Sequence, residues 1–375
     1  MSSSGLDWRR GMPDCLGVET GASETQPLVT VVVPAFNAAA TLAETLGSIA
    51  AQSYRRLEIL IVDDGSTDRT SEIAAAFCAA EPRARLIAKE NGGVASARNR
   101  GIAEAGGEWV APVDADDLWH PTKIDKQVAA ALAAPEPPGF VYCWFRVIDE
   151  AGLIIGAGER WRVEGPALAR LAYRNVVGNG SALLLSKAAA LEAGGYDESL
   201  RARGAEGCED VSLQLQVARR HPVALVPEYL VGYRFVPGSM SRSGERMLRS
   251  WELALERLRE DGAEVPPEAL RWTMGVRSLA LAEARALDGA RGAALAHLAR
   301  ALRLDPARTG LHLVYRACRL AVRMVRGRRA APAPVRFEEA DSLAEMRFDA
   351  DELPAFAQWL ERFEQRRMAR LGTAR

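Results

Sequence analysis

No run of about 18 uncharged apolar residues occurs in this 375-residue chain, so no membrane-spanning helix is expected. The five cysteines, Cys15, Cys78, Cys143, Cys208 and Cys318, form no Cys-x-x-Cys pair. That scatter suits reduced thiols in a cytoplasmic protein better than a disulfide framework or a zinc ribbon. Only four histidines are present and none stands in a His-Glu-x-x-His pattern, which weakens any zinc-hydrolase reading. No Gly-x-Gly-x-x-Gly follows the first apolar run, which counts against a dinucleotide-binding dehydrogenase. Net charge is nearly absent too: 48 Lys and Arg against 49 Asp and Glu leave −1, so nucleic acid is not an expected partner. Met1 to Pro27 is polar and irregular, without the basic start and apolar centre of a secretory leader, and is expected to be a loose extension.

What the chain does hold is alternation. Leu28 to Val33 is a β-branched run with no polar interruption, as expected of a strand covered on both faces. Pro34 stops it, and Asn37 is placed to cap a helix carrying Leu42, Leu46 and Ile49 at helical spacing. Leu57 to Val62 repeats the strand, with a helix from about Asp68 to Ala80 behind it. Arg85 to Ala88, a helix after Asn91-Gly92-Gly93, and an apolar run from Trp109 follow in turn. A helix from Pro121, strands at Phe140 to Phe145 and Ser181 to Ser186, a helix from Asp210 to Arg220 and a last strand at Val223 to Val226 complete the pattern. Asp149 to Glu164 is Gly-rich and expected to form a loop or hairpin over the site. Strand and helix in alternation predict an α/β fold with a mostly parallel sheet flanked by helices.

In such sheets ligands gather at the carboxyl ends of the strands. Three strand exits are polar or acidic here: Asn37, the Asp63/Asp64 pair, and the Asp114, Asp116, Asp117 cluster. Crowded carboxylates repel one another unless a cation or a donor-rich ligand offsets them, which suggests a divalent metal. The same acids also suit an Asx-rich turn leading into the helix at Pro121.

Four motifs then stand in order: Val31-Val32-Val33-Pro34-Ala35-Phe36-Asn37, Val62-Asp63-Asp64-Gly65-Ser66-Thr67-Asp68, Asn91-Gly92-Gly93-Val94-Ala95-Ser96-Ala97-Arg98-Asn99, and Asp114-Ala115-Asp116-Asp117. Together, across roughly 28–241, they resemble the family 2 glycosyltransferases. The resemblance implies a GT-A fold, with a nucleotide-binding half over 28–119 and an acceptor half over 120–244, and a nucleotide-diphosphate sugar as donor, a UDP-sugar first. Pro34, Phe36, Asn37, Asp63, Asp64, Arg98, Asp114 and Asp117 form the implied donor-binding set. Phe36 can stack on the base and Asp64 can read its edge. Arg98, on a helix whose Gly92-Gly93 start allows close approach, suits a diphosphate. By the same resemblance Asp114 contacts the ribose and Asp116 binds Mg²⁺ or Mn²⁺, with Asp117 in support.

Gly207-Cys208-Glu209-Asp210 resembles the family's Glu-Asp motif, which makes Asp210 the implied catalytic base and Glu209 the reserve. Glu-Asp before an apolar run is also a good helix start. Gly194-Gly195-Tyr196 resembles an acceptor-side turn, and Tyr233 to Ser241 a segment that closes over the diphosphate. Val236 stands where relatives often carry a His, so the metal lacks that contact, and Phe36 stands where Tyr is common.

From about Glu245 the composition turns to Leu, Ala, Arg and Glu at helical spacing, predicting an all-helical C-terminal appendage over 245–330, then a linker and a terminal helix over 331–375. Arg316, Arg319, Arg323 and Arg326 share one helical face beside Leu313, Leu320 and Met324. Such a helix suits an anionic membrane surface, or an ordinary solvated face. The expected activity is inverting transfer to a glycan or lipid-linked acceptor in cell-surface polysaccharide or lipopolysaccharide synthesis, in the cytoplasm or at the inner face of the membrane. A sugar nucleotidyltransferase and a non-catalytic scaffold using the helical region are the alternatives.

Overall fold

The computed structural model describes residues 26–235, 244–326, 333–344 and 354–372. Val236 and residues 1–25 of the expected N-terminal extension lie outside these residues. Nine strands form one sheet: β1 (Val29–Ala35), β2 (Leu57–Asp63), β3 (Ala84–Ala88), β4 (Trp109–Pro112), β5 (Leu118–Trp119), β6 (Phe140–Ile148), β7 (Ile154–Ala157), β8 (Leu183–Ser186) and β9 (Val223–Arg234). Around it run α1 (Leu42–Ala50), α2 (Thr70–Ala80), α3 (Val94–Glu104), α4 (Lys123–Ala133), α5 (Leu168–Tyr173), α6 (Lys187–Glu192), α7 (Ser199–Ala202) and α8 (Glu209–Ala218). The chain continues in helices α9 (Gly244–Glu260), α10 (Pro267–Leu287), α11 (Arg291–Leu304), α12 (Pro306–Arg326) and α13 (Pro354–Gly372).

The sheet order is β3-β2-β1-β4-β8-β6-β9-β5, with β7 paired outside this path to β6. β1 to β4 are parallel, β8 is antiparallel to both β4 and β6, and β9 is parallel to β6. The carboxyl ends of β1, β2, β4, β6 and β9 therefore meet the start of β8 along one edge. β1 is central, and every one of its residues is buried. That burial is why it reads as an unbroken β-branched run. β3 is the edge strand, and its Arg85 pairs with Glu58 and Glu104 in the manner of a protected edge.

Sequence expectation and structure part at three places. Asn37 does not cap α1, which starts five residues later; with φ at +49° its side chain turns to accept from Thr67 N at 2.8 Å. β9 runs on through Pro227 to Arg234, because Val226 and Tyr229 pair with the adjacent residues Cys143 and Trp144, leaving Pro227 and Glu228 as a bulge. The apolar run after Trp109 is two strands, and β5 doubles back to pair with β9 beyond the acidic loop. Asp149 to Glu164 does contain a hairpin, β6–β7.

α9 and α10 share the main core: Trp251 is fully buried there with Leu255, Leu258 and Ala269. Among the described residues no helix is long and apolar enough to cross a membrane.

Candidate active site

Position at this edge begins with close packing. A Cβ on Gly101 would fall 2.2 Å from Val32 Cγ1, so only glycine lets α3 sit this tightly on β1. Arg98 lies one turn earlier on the same helix, buried, and its Nη2 donates to Asp114 Oδ1 at 2.5 Å. Burial works against its charge, but Asp114, followed by Tyr196, Asp210 and Glu209, outweighs that and raises its pKa.

The β2 exit is a self-contained scaffold. Asp63 Oδ1 accepts from Ser66 N at 3.0 Å and tightens the turn. Asp64 is 3% exposed, and its carboxylate accepts from Gly92 N (2.9 Å), Gly93 N (2.7 Å) and Lys89 Nζ (2.6 Å). Its first role here is thus to fold the glycine turn that opens α3. Asp64 N also donates to Ala35 O at 2.9 Å, which sets it beside Phe36, whose ring is 51% exposed at the edge. Pro34 is buried inside β1, below the edge.

The three carboxylates after β4 take different environments. Asp114 pairs with Arg98, and its N–H donates to Ser181 Oγ at 3.0 Å. Asp117 is fully buried: it accepts from Asn179 Nδ2 (3.1 Å), Ser181 Oγ (2.5 Å) and Arg234 N (2.9 Å). Burial and the charges of Asp116 and Asp114 nevertheless push its pKa well up. Asp117 anchors the loop from within. Asp116 keeps its carboxylate without such partners, and burial with the Asp114 charge raises it to about 6.

Asp210 sits in the first turn of α8. A Cβ on Gly180 would lie 3.4 Å from Arg98 Nη2 and 3.7 Å from Asp210 Cβ, so these two residues flank one bare backbone position. Burial raises the Asp210 carboxyl to about 6, with Arg98 opposing and Glu209 adding to the rise. Glu209 is buried and turned back, accepting from Gly207 N at 2.9 Å.

Several contributors escaped sequence reasoning. Arg234, buried at the end of β9, donates through Nε to Asp116 O (2.7 Å), through Nη1 to Asp149 O (3.0 Å) and Glu150 O (2.8 Å), and through Nη2 to Glu44 (2.6 Å). Asn179 and Ser181 hold Asp117, and the only hint of them was a small polar triplet, Asn179-Gly180-Ser181, ahead of Leu183 to Leu185. Tyr196 lies with its ring 5.2 Å from the Arg98 guanidinium carbon and its buried Oη unpartnered. Asn99 holds its backbone, donating to Tyr196 O at 2.9 Å and accepting from Tyr196 N at 2.8 Å.

Residues 30–193 match the sequence model of the family described as Glycosyl transferase family 2. This region of the chain belongs to that family. An uncharacterised glycosyltransferase of Rickettsia typhi is 31% identical over 178 residues, 47% of this chain and 55% of its own length. Glycosyltransferase GlyG of Streptococcus pneumoniae is 46% identical over 99 residues, covering 26% of this chain and 33% of the relative. The chain spans about half or less of the curated relatives it matches. Among solved structures, mannosyltransferase PcManGT from Pyrobaculum calidifontis, in complex with GDP-Man and Mn2+, gives a TM-score of 0.55 at 21% identity over 84% of this chain and 85% of that one. TarS 1-349 from S. aureus gives 0.54 at 17% identity, over 75% and 82%. The fold is GT-A, as in these two neighbours.

Proposed function

We propose that the chain is an inverting glycosyltransferase that moves a sugar from a nucleotide-diphosphate donor to a hydroxyl of a glycan or lipid-linked acceptor. The observation that carries this reading is the placing of Asp210 and Arg98 on either side of Gly180, with Asp114 on Arg98. A carboxylate-bearing residue and a guanidinium then meet at one backbone position. Asp210, with a pKa near 6, is ionised at neutral pH yet basic enough to take a hydroxyl proton. As the acceptor oxygen bonds to the anomeric carbon, its proton passes to Asp210. The bond from that carbon to the phosphate oxygen breaks, and the nucleotide diphosphate leaves with the electron pair.

Arg98 is the residue for the diphosphate charge, and exchanging Asp114 for phosphate would cost it no ion pair. Phe36 and the Asp64 turn are assigned to the base, and Asp114 to the ribose. Among the described residues no group of three or more His, Cys, Asp or Glu side chains is arranged for a metal ion. Asp116, raised to about 6 and with no side-chain donor on its carboxylate, would fit a divalent cation together with donor phosphate oxygens and water. Bound there, Mn²⁺ or Mg²⁺ would offset charge on the departing diphosphate. A UDP-sugar is the first donor to try, with GDP-mannose beside it because the archaeal neighbour was solved with GDP-Man. Synthesis of a cell-surface polymer from the cytoplasmic side is the assigned setting.

A thermal-shift panel of nucleotide sugars with Mn²⁺ tests the donor class, because a ligand that binds only the folded state raises the melting temperature. Stabilisation by at least one nucleotide sugar, lost in R98A, is expected. No shift with any of them would sink the reading.

A further inference from the structure

α12 is amphipathic the wrong way round for a helix at a protein surface. Three of its described cationic side chains pair with the body: Arg308 Nε meets Glu364 at 2.5 Å, and Glu283 takes both His312 Nε2 at 2.9 Å and Arg316 Nε at 3.4 Å. Its large apolar side chains face out. Leu313, Val314, Leu320 and Met324 are 39%, 54%, 60% and 74% exposed, and Ala317, Cys318 and Ala321 between them are exposed too. Leu287 at the end of α10 and Leu295 on α11 add 85% and 66% exposed leucines on the same helical array. An uncovered stripe of this kind marks an interaction surface.

The charge around the stripe decides what covers it. Between Asp305 and Glu338 there is no carboxylate and there are eight arginines, at 308, 316, 319, 323, 326, 328, 329 and 336. A second copy of the chain would bring two such arginine-rich segments together with no acid to pair them. Leu313, Ala317, Leu320 and Met324 also make only two heptads of seam, fewer than the three or four that sustain a coiled coil. An anionic bilayer satisfies both halves: apolar side chains enter the acyl boundary while arginine at the margin of the stripe meets headgroup phosphates. Arg316, with its side chain 55% exposed at the margin of the stripe, is placed for that second contact.

We propose that the outward face of α12 docks on an anionic lipid surface. This is independent of the donor chemistry and is read without substrate. The test is sedimentation of the full chain with phosphatidylcholine vesicles and with vesicles carrying about one third phosphatidylglycerol. Binding to the anionic vesicles alone is expected, weakening at least about tenfold as salt rises from about 0.05 to about 0.5 M. L320E/M324E should abolish it with the melting temperature unchanged, whereas L132E, an exposed leucine on α4, should leave it intact. Absence of binding to anionic vesicles, binding that L320E/M324E does not weaken, or a wild-type dimer that L320E/M324E dissociates would each overturn the proposal.

Discussion

Asp210→Asn should stabilise the protein at neutral pH. The Asp210 carboxyl is raised from an ordinary 3.8 to about 6, chiefly by burial, so the folded state holds its proton where the unfolded chain has lost it. A group raised in this way contributes stability below the unfolded value and loses it as pH climbs through the folded one. Between pH 3.8 and about 6 this carboxyl alone should therefore weaken the wild type by about 3 kcal/mol, at about 1.4 kcal/mol per pKa unit, a share that then levels off. Asparagine has nearly the same shape and no charge to bury. At pH 7.5 the variant should melt about 4 °C higher, taking the unfolding entropy expected for a chain of this size, and the gap should close near pH 4. Differential scanning fluorimetry across pH 4 to 8 measures it. A variant that melts at or below the wild type at pH 7.5, or a gap indifferent to pH, would refute the burial argument.

Other consequences are equally direct. Arg234→Lys removes the fork that joins Asp116, Asp149, Glu150 and Glu44; urea unfolding should show a loss of about 2–4 kcal/mol, and an unchanged midpoint would contradict the stapling role. Ser181→Ala strips one donor from buried Asp117 and should cost about 1–3 kcal/mol, read in the same titration. Tyr196→Phe removes a buried hydroxyl with no partner in the fold, so stability should rise, by up to about 1–3 kcal/mol; a loss would mean that the hydroxyl is structurally engaged. If turnover rests on Asp210, its rate should fall about tenfold per pH unit below pH 6, whereas a flat profile down to pH 5 would remove Asp210 as the base.

Local chemistry was readable where it was dense. β1 and β2 announce themselves because strands covered on both faces need no polar residues, and strand exits rich in Asn and Asp point to one edge once the strands are parallel. What stayed hidden depends on pairing across long separations. Asp114, Asp116 and Asp117 look alike in the chain, and only β8 and β9, arriving 60 and more residues later with Ser181 and Arg234, turn Asp117 inward. Pro227 hid the length of β9, since a bulge that absorbs two residues has no local signature. Tyr196 was visible only as part of a turn, because its place under Arg98 comes from Asn99. The inversion of α12 was out of reach as well, since periodicity marks two faces without saying which of them meets Glu283 and Glu364.

The central claim is that Asp210 acts on an acceptor beside a bound nucleotide sugar. It is tested most directly by measuring donor affinity and nucleotide-diphosphate release side by side in wild type and D210N, using the nucleotide sugar that stabilises the fold. D210N should keep donor affinity within about twofold of wild type while its release falls by at least about a hundredfold. Full release by D210N, or affinity and release lost together, would contradict it.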